Sequence, residues 1–341
     1  MRLRLLTVWL WFGLGLSLGS NAASASSRDI IICGGGGDET YKAKFAAWGG
    51  RLRKVLVEKL GRSNDAVVLL LESADGPATP TKTSDLKTIR SVLEKGSREL
   101  GPDDDLFIYP IGHGSYLRNV SRFHIPSPDL TADELARLLE PIRARRIVVI
   151  NAASSSAGFI NTLSRPGRII CTATKSVDEK NATEFMEYFI QSLEDGSADQ
   201  NRDERISVLE ACRQAAALTE AYYVGHGLIA TEHALMDDNG DGKGIRLVAD
   251  LTGEGPAEKS AAGAAEPQKS ALAAQCFLKD FSFPSSVPRD LVDRYLSLLN
   301  RVEELKRKKT EMESEAYYTA LEALLVEAAR AHRQIRHTDS R

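Results

Sequence analysis

Arg146-Ile147-Val148-Val149-Ile150-Asn151-Ala152-Ala153-Ser154-Ser155-Ser156-Ala157-Gly158-Phe159 decides the fold. The stretch begins as an unbroken β-branched run without polar alternation, the pattern of a strand covered on both faces. It then passes through small polar residues that open a helix over 155–163. A strand feeding directly into a helix is half of a βαβ unit.

The same signature recurs on both sides. Short apolar runs at 29–33, 66–71, 106–111, 146–150 and 168–172 read as strands. Amphipathic stretches at 41–60, 84–100, 131–139, 155–163, 182–193 and 207–223 read as helices, and Ser127-Pro128-Asp129-Leu130-Thr131 supplies a cap before one of them. Strand alternating with helix predicts an α/β fold with a doubly wound, mostly parallel sheet flanked by helices. The expected organisation is a leader at 1–25, the α/β domain at 26–250, a linker at 251–285 and a helical hairpin at 286–341.

The leader has a basic start at Arg2 and Arg4 and an apolar run from Leu5 to Leu18. It ends at Ala23-Ser24-Ala25, an A-x-A cleavage site. This is the pattern of a secretory signal peptide, and the run is short for a membrane anchor. The chain is therefore expected to be exported, to periplasm, cell surface or medium, with no integral span after cleavage. Cleavage lowers Lys+Arg from 44 to 42 against 47 acids, which moves the net charge from −3 to −5. Nothing in that balance argues for nucleic acid. Cys33, Cys171, Cys212 and Cys276 form no C-x-x-C pair, which speaks against zinc, and are expected as buried thiols.

In the tail, Leu291, Tyr295, Leu298, Val302 and Leu305 recur at spacings of four and three. So do Tyr317, Leu321, Leu324, Ala328, Ala331 and Ile335. Two apolar seams separated by charged residues 306–315 predict two antiparallel helices. They offer a surface for the main domain or a protein partner.

Two motifs fall at strand C-terminal ends, where open α/β sheets bind ligands. Pro110-Ile111-Gly112-His113-Gly114 places a histidine on a sharp turn, where it can act as a general base or simply close the loop by hydrogen bonding. Ser154-Ser155-Ser156 lies at a helix start, whose free N–H groups are capped by a serine hydroxyl or stabilise an oxyanion.

In order and spacing, these motifs resemble the legumain–caspase-like peptidase fold, on its bacterial legumain-type branch. His113-Gly114 matches the family's His-Gly strand end. Its Cys-x-Ser-Gly stretch, anchored on the aromatic Phe159, falls on Ser154, Ser156 and Ala157. The segment 168–175 is similar to the family's cleft strand, and 181–185 to the segment after it. The resemblance covers roughly residues 29–250. It implies peptide-bond hydrolysis by a His113/Ser154 dyad, with serine where the family carries cysteine. The backbone N–H groups of Gly114 and Ser154 would form the oxyanion hole, and Ser156, Thr172 and Thr174 would line the cleft. No cofactor is required. A serine hydroxyl needs an oriented histidine, for which Asp178 and Glu179 are the nearest acids. A degenerate domain that binds peptide or protein without cleaving it is the alternative.

Four other features carry candidate ligands or chemistry. The glycine run 34–37 lacks the Lys-Ser/Thr of a phosphate-binding loop and reads as a rim loop. Asp199, Asn201, Asp203, Ser207 and Glu210 stand at positions 1, 3, 5, 9 and 12 of an EF-hand-like loop, with Glu204 where glycine belongs, making Ca2+ a possible ligand. The acidic run 237–242 begins like such a loop but lacks the final Glu. Finally, His226, Glu232 and His233 do not form H-E-x-x-H and read as structural.

Overall fold

The computed structural model describes residues 27–73, 82–248, 272–279 and 286–339. The predicted leader, and linker residues 251–271 and 280–285, lie outside them. Within the first unit the chain runs β1 (Ser27–Cys33), α1 (Glu39–Glu58), β2 (Val67–Leu71), β3 (Lys82–Thr83), α2 (Leu86–Glu99) and β4 (Asp105–Ile111). A small meander follows: β5 (Gly114–Leu117), β6 (Val120–Phe123) and β7 (Leu130–Thr131). Next come α3 (Ala132–Leu139), β8 (Arg146–Asn151), α4 (Gly158–Leu163), β9 (Arg168–Thr172), α5 (Phe185–Asp195), β10 (Ile206–Ser207) and α6 (Val208–Gly225). The unit ends with β11 (Leu235–Asp237), β12 (Ile245–Arg246) and β13 (Phe277–Lys279).

The central sheet has eight strands in the order β12-β11-β9-β8-β4-β1-β2-β3. Its six strands from β9 to β3 are mutually parallel, while β11 and β12 run antiparallel at one edge. Side-chain alternation divides each inner strand between two cores. Ile31, Phe107, Tyr109, Val148 and Ile150 join residues of α1, α5 and α6 on one face. Ile30, Ile32, Ile108, Ile147 and Val149 join residues of α2, α3 and α4 on the other. Both faces are covered, as the unbroken apolar strands required.

The linker expected at 251–285 needs correction. Ala273–Gln275 form a 3-10 turn, β13 pairs with β10, and Ala273, Cys276 and Leu278 are fully buried in the main core. The apolar residues of this short segment outweigh its small, polar flanks. All four cysteines are buried thiols. Cys33 donates to the Phe45 carbonyl at 3.2 Å, and burial pushes its pKa up to about 12.

A second unit comprises residues 202–205 and 279–341. In it α7 (Arg289–Arg307) and α8 (Ser314–Asp339) pack together around Tyr295, Leu298, Ala328, Ala331 and Ile335. These are residues of the two predicted seams. Among the described residues no helix is long and apolar enough to cross a membrane.

Candidate functional site

Strands β4, β8 and β9 lie side by side, so their C-terminal ends form one rim. The strand backbones continue to pair just past their ends: Ala152 N–H donates to Pro110 O at 2.9 Å and Ala173 N–H to Asn151 O at 2.9 Å. This brings His113, the serine run and Thr172–Thr174 to the same edge. The glycine run joins them through Gly34 N–H to Ile111 O at 2.8 Å and Gly35 N–H to His124 O at 2.9 Å. Gly36 N–H donates to the Glu72 carboxylate at 3.1 Å, a partner suited to a rim loop and not to a phosphate.

Ser154 is only 2% exposed. Its hydroxyl accepts from Gly114 N–H at 3.1 Å and donates to Gly114 O at 3.2 Å. The donor expected for an oxyanion is therefore aimed at the serine itself. A Cβ on residue 114 would stand 2.5 Å from Ser154 O and 2.8 Å from Arg122 O, so only glycine lets β5 run this close to the loop after β8.

The His113 imidazole is half-buried and stands edge-on to two rings of α1, Tyr41 at 4.6 Å and Phe45 at 5.0 Å between centroids. It is hydrogen-bonded to the Gly36 backbone, and burial holds its pKa below the usual value. Among the described residues no hydrogen bond joins it to Ser154 or to a carboxylate. The two motifs share a rim, but their side chains are engaged separately.

The expected cleft residues are corrected as well. Ser156, Thr172 and Thr174 are fully buried. Ser156 and Thr174 hydroxyls lie 3.1 Å apart, Thr174 Oγ1 accepts from Ala157 N–H at 3.1 Å, and Thr172 Oγ1 donates to Thr174 O at 3.0 Å. They bolt β9 to the loop before α4 and line no open groove. Ser155 takes a left-handed backbone (φ 52°), and its buried hydroxyl has no partner. That turn delays the helix, which begins at Gly158 and not at 155.

Glu179, a candidate for orienting His113, pairs instead with His233. Its carbonyl accepts from Ser155 N–H at 2.8 Å. Next to that pair, Glu232 is 2% exposed and caps α5, accepting from Glu184 N–H at 2.7 Å, Phe185 N–H at 3.1 Å and Tyr223 O–H at 3.0 Å. Burial raises its pKa to about 7. The structural reading of Glu232 and His233 thus gains a content that periodicity could not supply. The signal was present as two adjacent ionisable residues just before the apolar Ala234-Leu235-Met236.

The calcium expectation is not supported by this geometry. Ser207 and Glu210 form a capping box at the start of α6, with Glu210 accepting from Ser207 N–H at 3.0 Å and Ser207 accepting from Glu210 N–H at 3.2 Å. Asp203 accepts from Arg205 N–H at 2.9 Å. Asp199 and Asn201 also have partners. In the second acidic run, the Asp237 carboxylate takes the N–H groups of Asn239, Gly240 and Gly242 at 3.0–3.2 Å. Among the described residues no group of three or more His, Cys, Asp or Glu side chains is placed to hold a metal ion.

No family model matches the chain, and no curated protein matches it in sequence. One solved structure similar to it is the crystal structure of protein GSU0716 from Geobacter sulfurreducens. It has a TM-score of 0.41 and 10% identity over 62% of this chain and 92% of that one. Likeness at that level carries no argument about function.

Proposed function

We propose that this is a legumain/caspase-like α/β domain that has lost hydrolytic chemistry and binds an extended peptide or protein segment at the rim. One observation carries the reading: the Ser154 hydroxyl is sealed and engaged at both its proton and a lone pair by the Gly114 backbone. A serine nucleophile needs a base within hydrogen-bond reach and a substrate path to its oxygen. Among the described residues His113 supplies no such contact, and no acid is hydrogen-bonded to it as a triad requires.

Support for binding comes from β5. Among the described residues it pairs on one side only, with β6. Gly114 faces away from β6, so by alternation the backbone groups of Tyr116 also point outward. The exposed side chains of Tyr116 and Leu117, 39% and 60% accessible, flank that free edge. At Gly114 that edge is taken by the Ser154 hydroxyl, which leaves the main-chain groups of Tyr116 to accept a further strand. The leader pattern supports export of the domain.

The test pairs two measurements. A fluorophosphonate probe leaves the chain unlabelled. Labelling that Ser154→Ala abolishes would instead establish an active hydrolase. A peptide selected from an extended-peptide library binds the wild type and loses at least roughly tenfold in affinity on Tyr116→Pro, which removes the outward N–H. Affinity unchanged by that substitution would rule out strand addition at β5. Amino-terminal sequencing of exported protein checks cleavage after Ala25.

A further inference from the structure

We infer that the chain self-associates through α8, whose outer face pairs antiparallel with the same face of a second copy. The inner face of this helix is already occupied, with Tyr317, Ala328, Ala331 and Ile335 buried in the second unit. At 3.6 residues per turn, Tyr318, Leu325 and Ala329 fall along a second line about a third of a turn away, with Val326 beside it. Tyr318, Leu325 and Val326 are 55%, 47% and 42% exposed. Together with Leu321 and Ala329 they line an open furrow along the helix. A helix apolar on two faces is built to pack on two sides.

Charge identifies the occupant. The first half of α8 carries Glu315, Glu322 and Glu327 and no base, while residues 328–338 carry Arg330, Arg333 and Arg336 and no acid. The helix dipole favours that order along the axis, but it places no demand on the face. Glu315, Glu322, Arg333 and Arg336 nevertheless fall on the outer side, flanking the apolar line. Parallel pairing would set like charges together. An antiparallel pair with its two-fold axis between Leu325 and Val326 sets Glu315 opposite Arg336 of the second copy and Tyr318 opposite Arg333. The apolar residues then meet at the centre. One surface thus holds both halves of a complementary pattern, which is what an isologous dimer requires. This inference does not depend on the peptide-binding proposal.

Sedimentation equilibrium on the full-length chain tests it. The wild type forms a dimer at micromolar concentration. Leu325→Glu weakens it at least roughly tenfold, as a buried unpaired charge should. Glu315→Arg and Arg336→Glu each weaken it, and combining them restores the wild-type constant to within about threefold. Oxidation cross-links Val326→Cys and leaves Glu315→Cys without an intermolecular disulfide, because residues 315 of the two copies lie about 30 Å apart. A monomeric wild type, a dimer indifferent to Leu325→Glu, or cross-linking through Glu315→Cys would each overturn the proposal. These side chains are exposed, so thermal melts of the variants stay within a few degrees of wild type; a variant that fails this check is replaced by Val326→Glu, read in the same way.

Discussion

The role of a serine depends on which backbone it faces. Ser154, Ser155 and Ser156 are chemically identical, yet one braces β5, one is strained without a partner, and one bolts β9. Sequence places all three at the rim but does not choose among them, since the partners come from distant strand ends. Ser154→Ala strips the partly buried Gly114 N–H and C=O of their partner. It should lower unfolding free energy by about 1–3 kcal/mol in urea, with an unchanged m-value. A loss of only a few tenths would mean that the hydroxyl braces nothing. Glu232 gives a pH signature with a definite sign. Its pKa is about 7 in the folded protein against 4.5 ordinarily, so between these values the native state holds a proton that the unfolded chain has released. That contribution is fully present below about pH 4.5 and is lost as pH rises to 7, on the order of 3 kcal/mol in all. Glu232→Gln imitates the protonated side chain and should flatten this slope in stability measured from pH 5 to 8. His113 works in the opposite direction, because its burial favours the neutral ring and stability falls once acid protonates the unfolded chain.

Elements made of strong local signals were legible, and elements made by pairing were not. The five main strands stood out because of their apolar runs, and α1, α2, α3 and α6 because of their amphipathic stripes, although only the cap before α3 was read from the sequence. Asp38, Asp85, Thr131 and Ser207 each accept from the first turn of the helix that follows. The β5–β6 hairpin escaped notice because its turn lacks the usual signature. Arg118 and Asn119 both have positive φ, 53° and 62°, as the centre of a type I′ turn demands, but that turn is normally announced by Asn-Gly. Arginine in this conformation is strained. Replacing Arg118-Asn119 by Asn-Gly should therefore raise unfolding free energy by about 1 kcal/mol, read from the denaturation midpoint. No gain would show that tertiary contacts hold the loop regardless of its residues. The edge strands β11 and β12 were hidden for a related reason. Their connection is organised by the Asp237 carboxylate gathering three N–H groups, which from sequence alone looks like the opening of a calcium loop.

At the scale of the molecule, the boundary between units moved because composition is a poor guide to a segment that contributes only a few buried residues. The stretch 251–285 is rich in Ala, Gly, Pro, Lys and Ser, so it reads as linker throughout, yet residues 272–278 belong to the α/β unit. Their ties reach α6, β8 and the loop after β11. Ala273 N–H donates to the Asp238 carboxylate at 2.8 Å, Val208 N–H to Cys276 O at 2.8 Å, and the Arg146 guanidinium to Gln275 O. Burying Leu278 alone contributes about 1.5–3 kcal/mol, and the hydrogen bonds add about 1 kcal/mol each. Two truncations separate the alternatives. A chain ending after Lys279 keeps every one of these contacts and should unfold cooperatively, with a Tm within a few degrees of that of the α/β transition in the full chain. A chain ending after Asp250 exposes the sites of Ala273, Cys276 and Leu278 and leaves Asp238 and the Val208 N–H without partners. A loss of some 3–5 kcal/mol in a unit of this size corresponds to a Tm lower by roughly 10 °C. Equal melting of the two truncations would show that the segment is appended to the core and does not belong to it.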